Sequence, residues 1–181
     1  IELSLEAGVK ISYKHNGTIA SGSTVDTRNA VPTSALASGV DCNAFVSYII
    51  FGEDSTISNC TFTNNKAKDG GALHIKCHTT LSNCIFTNNK ADDGGAAIIG
   101  GQSLVLNCSF TDNAANRAGA IWAQDPNTTI MNCRFTNNVA KEDGAAFHVD
   151  VSSNNVIISN SNFTNNKARQ VAALTILAQT T

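Results

Sequence analysis

Three sets of residues in this 181-residue chain have the types and spacing to do chemistry. The first is a charged row seven residues after successive phenylalanines: Asp69, Asp93, Arg117, Glu142 and Gln170, with Asp92 nearby. Two carboxylates one repeat apart suit a calcium site or a glycosidase pair. An arginine between acids reads differently, as an alternating charge ladder on a solvated corner, which is the expectation here. The second set is cysteine. Cys60, Cys84, Cys108 and Cys133 are evenly spaced, and such a column could bridge or hold metal; the expected reading is a ladder of buried, small apolar thiols. Cys42 and Cys77 fall outside that ladder and form the candidate disulfide. No CxxC or Cys–His zinc spacing occurs, so no metal, no cofactor and no catalytic residue is assigned. The third set is aromatic: His74, Trp122 and Phe147 share one apparent repeat position and form a candidate surface for stacking on sugars or a partner, if that parity faces outward.

The elements that must position these residues are written as a repeat. Phe62, Phe86, Phe110, Phe135 and Phe163 mark its period: the first two intervals are equal, the third is one longer and the last four longer. Ile57, Leu81, Val105, Ile130 and Ile158 stand three residues before each Cys or its replacement Ser161, and an alanine follows each Phe by five. Between turn signals the apolar segments alternate and are too short for helices. About 24 residues divided into three short strands and three turns make one coil of a parallel β-helix, coils stacking roughly 4.8 Å apart. Cysteine and phenylalanine, two positions apart, then point inward together, while Thr61, Ile85, Ser109 and Arg134 face out.

Two asparagine columns mark one corner. Asn64, Asn88, Asp112, Asn137 and Asn165 occupy the first, where the left-handed conformation suits a sharp turn. Asn65, Asn89, Asn113, Asn138 and Asn166 form the second, whose amides in register can bond from coil to coil. Gly71, Gly95, Gly119 and Gly144, nine residues after each Phe, serve another corner. One extra residue around "QDPN" and four around "DVSSNN" fall in the turn that also carries Cys77, an edge where repeat proteins often place their working surface.

The motifs "FTNN" or "FTDN" at each coil, with "GGAL" from Gly70, "GGAA" from Gly94 and "AGAI" from Ala118, resemble the FxxN and GGA[ILV] repeats of chlamydial polymorphic outer membrane proteins and of adhesin-like proteins of methanogenic archaea. The resemblance covers about residues 48 to 177. It implies a right-handed parallel β-helix, and a secreted or cell-surface protein that adheres, coats or assembles. Polysaccharide lyases share the fold, but their clustered metal-binding aspartates beside a basic residue are not seen in this sequence.

The chain therefore reads as all-β, with an N-terminal strand and irregular cap region over 1–46 and one solenoid over 47–181. A net charge of −2 without basic clusters disfavours nucleic acid, and no apolar run approaches the roughly 20 residues of a spanning helix. The chain begins at Ile1 and stops after its fifth coil without an obvious cap, so the expected partner is a second copy, added head to tail or by strand addition, with a carbohydrate or host-surface ligand as the alternative. No enzymatic activity is expected. Of the sequons at Asn16, Asn59, Asn107, Asn127 and Asn162, Asn16 and Asn127 are the expected glycosylation sites, Asn59 and Asn107 being assigned to packed corners.

Overall fold

The structure, a computed structural model, describes residues 12–13, 41–42, 48–50, 55–125, 127–150 and 155–176. All its named elements are short β-strands, paired in parallel. They stack into three long sheets. The first holds Ser55–Ser58, Thr79–Ser82, Leu104–Leu106, Thr129–Met131 and Ile157–Ser159; the second begins at Asp41–Cys42 and continues through Thr61–Thr63, Ile85–Thr87, Ser109–Thr111, Arg134–Thr136 and Asn162–Thr164. The third runs from Ser12–Tyr13 and Tyr48–Ile50 through Leu73–Cys77, Ala97–Gly101, Ile121–Ala123 and Phe147–Val149 to Leu174–Ile176. Each coil visits the sheets in turn, so the strands of one sheet come from successive repeats. The molecule is the parallel β-solenoid that the period implies.

Register follows from what the columns can share. Phe62 pairs with Phe86, Phe86 with Phe110, Phe110 with Phe135 and Phe135 with Phe163. Their rings stack at centroid separations of 4.7, 4.8, 4.9 and 4.9 Å, close to the coil repeat. Ile57, Leu81, Val105 and Ile130 line a second buried column and the four cysteines a third. The alternation puts Ile85 on the outside, 48% exposed, beside buried Phe86. None of the four ladder cysteines is bridged.

The chain turns wherever a residue enters the left-handed region. Asn59, Asn83, Asn107, Asn132 and Asn160 close the first sheet at φ between 48° and 55°, and Asn64, Asn88, Asp112, Asn137 and Asn165 close the second at 53–60°. At the glycine corner the positive φ belongs to Gly70, Gly94, Ala118 and Gly144. Gly71, Gly95 and Gly119 are needed for another reason: a Cβ on Gly95 would lie 2.1 Å from the carbonyl oxygen of Gly119 in the next coil. Gly144 thus belongs to a different column from the one its distance after Phe135 suggests. Ala115 pairs with Ala140 and Ile121 with Phe147; the first members of these pairs stand six positions apart and the second members seven, so one residue has been added after Ala140. That residue also accounts for part of the lengthening attributed to "DVSSNN". The stretch 150–156 supplies the remainder, since Ala123 and Thr129 stand six positions apart while their partners Val149 and Ile157 stand eight apart.

The second asparagine column is buried within the coils. The Oδ1 of Asn89 accepts two bonds from Asn65, the backbone N–H at 2.9 Å and Nδ2 at 2.8 Å. Its own Nδ2 donates back to the carbonyl of Phe62 at 3.0 Å and forward to Oδ1 of Asn113 at 2.9 Å. Asn113 and Asn138 repeat the pattern onward to Asn166. Two donated and two accepted bonds use the full capacity of a carboxamide. The desolvation cost of burying it is offset only while every rung is in register.

Replacing Asn113 by Ala leaves the N–H of Asn89 without its partner, takes one of two acceptors from Nδ2 of Asn89, and removes the bond that Asn113 gives the carbonyl of Phe86. The expected loss is roughly 1–3 kcal/mol for each buried group left stranded. Asn88→Gly, at an exposed left-handed corner, is expected to cost less than about 1 kcal/mol. Urea unfolding of both variants measures the difference.

Candidate functional site

The charged row and the aromatic row meet on the outer side of the third sheet. Strand pairing sets the aromatic row as His74, Ile98, Trp122, His148 and Thr175. Phe147 therefore does not stand beside Trp122, and its assignment to an outer surface is corrected: it is fully buried and packs edge-on against Phe135, with centroids 6.5 Å apart. The cause is the residue added after Ala140, which moves every later side chain of that coil by one position and so exchanges the two faces of the strand. His148 takes the place beside Trp122, ring edge to face at 5.6 Å.

The same shift changes the charged row. Asp69, Asp93 and Arg117 are bridged in register. The next in line is Asp143, whose carbonyl accepts the N–H of Ala118; Glu142 instead donates its N–H to Asn116. Arg117 makes a two-pronged ion pair with Asp93, both bonds at 2.9 Å, and its guanidinium lies 4.4 Å above the Trp122 ring. Ala118 and Ile98 pack with that indole as a small cluster separate from the main core. The five-residue step from Arg117 to Trp122 brings the corner back over the strand it precedes. Trp122 is consequently 6% exposed, a covered side chain rather than an open stacking platform.

Three polar atoms of this cluster are buried with no hydrogen-bond partner among the described residues: Trp122 Nε1, His148 Nδ1 and Asp143 Oδ1. Indole N–H only donates, carboxylate oxygen only accepts, and imidazole does either. Burial pushes the His148 pKa below its ordinary value, Asp143, Asp150 and Asp93 pull it up, and Arg117 adds to the lowering. Asp93 holds the guanidinium of Arg117 firmly charged. Among the described residues no three of His, Cys, Asp and Glu converge as a metal site.

The remaining candidates lie apart. His74 is partly buried in the same row. Cys42 sits in the second sheet opposite Phe62 and Cys77 in the third opposite Gly101, and the side chains of both lie outside what is described. Asn127 is exposed at a left-handed corner, where its Oδ1 accepts a bond from Asn155, while Asn16 lies outside the described residues. Asn59 and Asn107, assigned to packed corners, are exposed, because the left-handed turn carries those side chains to the surface. His148 and Asp143 were missed by counting from Phe135. The spacing from the conserved-position alanine to the left-handed residue holds the signal: three residues from Ala115 to Ala118, four from Ala140 to Gly144.

The depressed pKa of His148 means that the unfolded chain takes up the proton first. Stability from this group is complete above about pH 6.5 and falls below it, by up to about 1.36 kcal/mol per pH unit, until the folded pKa is passed. A His148→Gln variant is expected to lack that part of the pH dependence, as read from denaturant midpoints between pH 5 and 8. Trp122 is the single tryptophan, so Arg117→Ala should make its fluorescence more accessible to acrylamide. The Arg117 side chain is 42% exposed, and the accompanying stability loss is expected to stay near about 1 kcal/mol or below.

Neither a curated protein nor a solved structure matches the chain. The profile of the family described as a right handed beta helix region matches residues 41–179. That span contains the stacked Phe, Cys and Asn columns and most of the chain, which belongs to the right-handed β-helix family.

Proposed function

We propose that this chain is a non-enzymatic extracellular solenoid, a structural or adhesive rod displayed at a cell surface. The observation that carries the reading is the buried asparagine ladder from Asn65 to Asn166, in which every inner amide makes four bonds to adjacent coils. Such a ladder stiffens a rod along its length. The regular rows of asparagine and threonine outside it repeat with the coil, and a repeating side surface suits multivalent contact. The FxxN and GGA motifs resembling surface repeats of chlamydiae and methanogens point the same way. Self-association into a filament or sheath is the form of this role expected from strand addition at sheet ends.

A second reading, a carbohydrate-binding or carbohydrate-cleaving β-helix protein, is favoured by one feature, the Arg117–Trp122–His148 cluster with its unpartnered buried polar atoms. Electron microscopy of the purified chain, with size-exclusion scattering at several dilutions and a polysaccharide cleavage assay on the same sample, tests both. The expected result is ordered assemblies or retention on a cell-surface preparation, with no release of new chain ends. Cleavage that disappears in Arg117→Ala and His148→Gln would replace the structural reading by the enzymatic one.

A further inference from the structure

The outer row of the third sheet lies against the corner that precedes each strand. A Cβ added at Gly144 would stand 2.9 Å from Cβ of His148, so the left-handed corner residue rests directly on that row. Bonds between coils fix the corner backbone: the N–H of Ala118 donates to the Asp143 carbonyl at 3.0 Å, that of Gly119 to Gly144 at 3.2 Å, and that of Gly144 onward to Val171 at 2.8 Å. The backbone is therefore not a lid.

What can move is the Arg117 side chain, whose guanidinium lies 4.4 Å above the Trp122 ring while 42% of the side chain is exposed. An arginine so exposed turns away at small cost. It also has a second place to go. Asp93 holds it through two bonds, and Glu142, exposed on the next coil, is another of the carboxylates that act on its charge.

His148 meets the same indole with its ring at 79° to it, is 4% exposed, and has Nδ1 buried without a partner. A neutral imidazole suits this place. The charged groups around it are Arg117 and Asp93 from the coils before and Asp143 and Asp150 on its own coil; the coil after sets Thr175 beside it and Val171 at the corner, neither charged. When the second ring nitrogen takes a proton from solvent, two cations share one indole. The carboxylates temper the repulsion, but burial outweighs them and keeps the imidazole's pKa below its ordinary value. Of the two cations, only the guanidinium has an open route to water.

We infer that His148 is a proton-operated switch on the cover of Trp122: once protonated, it drives Arg117 off the indole toward Glu142 and opens the tryptophan to solvent, with the coils left stacked. The uncovered state hydrates the imidazolium, which the covered state cannot do. The ratio of uncovered to covered chains therefore rises about tenfold for each pH unit between the ordinary histidine value near ~6.5 and the lower value of the covered state. A capped indole at neutral pH becomes an exposed aromatic face in mild acid.

The test follows acrylamide quenching of Trp122, the single tryptophan, in the full chain between pH 4.5 and 8, alongside the NMR titration of the His148 imidazole. Quenching is expected to rise from a low plateau at pH 8 to the level that Arg117→Ala shows at every pH, with one midpoint for both signals below about 6.5 and unchanged far-ultraviolet circular dichroism. His148→Gln should stay at the low plateau throughout, and His74→Gln, two coils away in the same row, should behave as the wild type. If His148→Gln fails to fold, the coincidence of the two wild-type midpoints still decides. A titrating imidazole with constant quenching, an imidazole still neutral at pH 4.5, a rise that survives in His148→Gln, or a rise that comes only with loss of β-structure would each overturn the proposal.

Discussion

A carboxamide buried in the wall of a solenoid must find two acceptors and two donors away from water, and the repeat meets that demand in only one way. Asn89, Asn113 and Asn138 each bond to the coil before and the coil after, through side chain and backbone together. Sliding one coil by a single residue would break four bonds at once and turn an inward side chain outward. Register is therefore held by polar groups. The phenylalanine and aliphatic columns, which are non-directional, supply burial along the same axis and tolerate small displacements.

This division explains how the coil lengths vary without disturbing the core. Extra residues enter at Lys141 and at 150–156, between the paired strands. The paired columns resume on either side of them, because Phe135 still meets Phe163 and Asn138 still meets Asn166. The side effect falls on the outer face. One added residue places His148 beside Trp122 and Asp143 beside Arg117, producing the one region of the described surface where an ion pair, an indole, an imidazole and a carboxylate gather. A one-residue change in coil length is thus enough to create a chemically distinct patch on a regular rod.

Much of the fold was legible in the residues themselves. Spacing gave the coil, alternation separated Cys and Phe from Ile85 and Arg134, and the Asn pairs marked both the corner and the ladder, because each of these properties is local and recurs in every repeat. The outer site was less legible. Its make-up depends on register after an insertion, and an insertion is ambiguous when the motif around it has weakened: counting from Phe135 placed Phe147 outside, whereas aligning Gly144 with Gly70, Gly94 and Ala118 places it in the core. The covering of Trp122 by Arg117 is a contact between a turn and the strand five residues later, and periodicity carries no information about it.

The central claim is that buried asparagine amides, bonded in register, hold the coils together. Native-state hydrogen exchange of the side-chain NH2 groups, followed by NMR, tests it most directly. The Nδ2 protons of Asn89, Asn113 and Asn138 are predicted to exchange as slowly as the backbone amides of the flanking strands, and those of the exposed Asn64, Asn88 and Asn137 rapidly. Equal, fast exchange in both columns would show that the ladder does not persist in solution and would contradict the account.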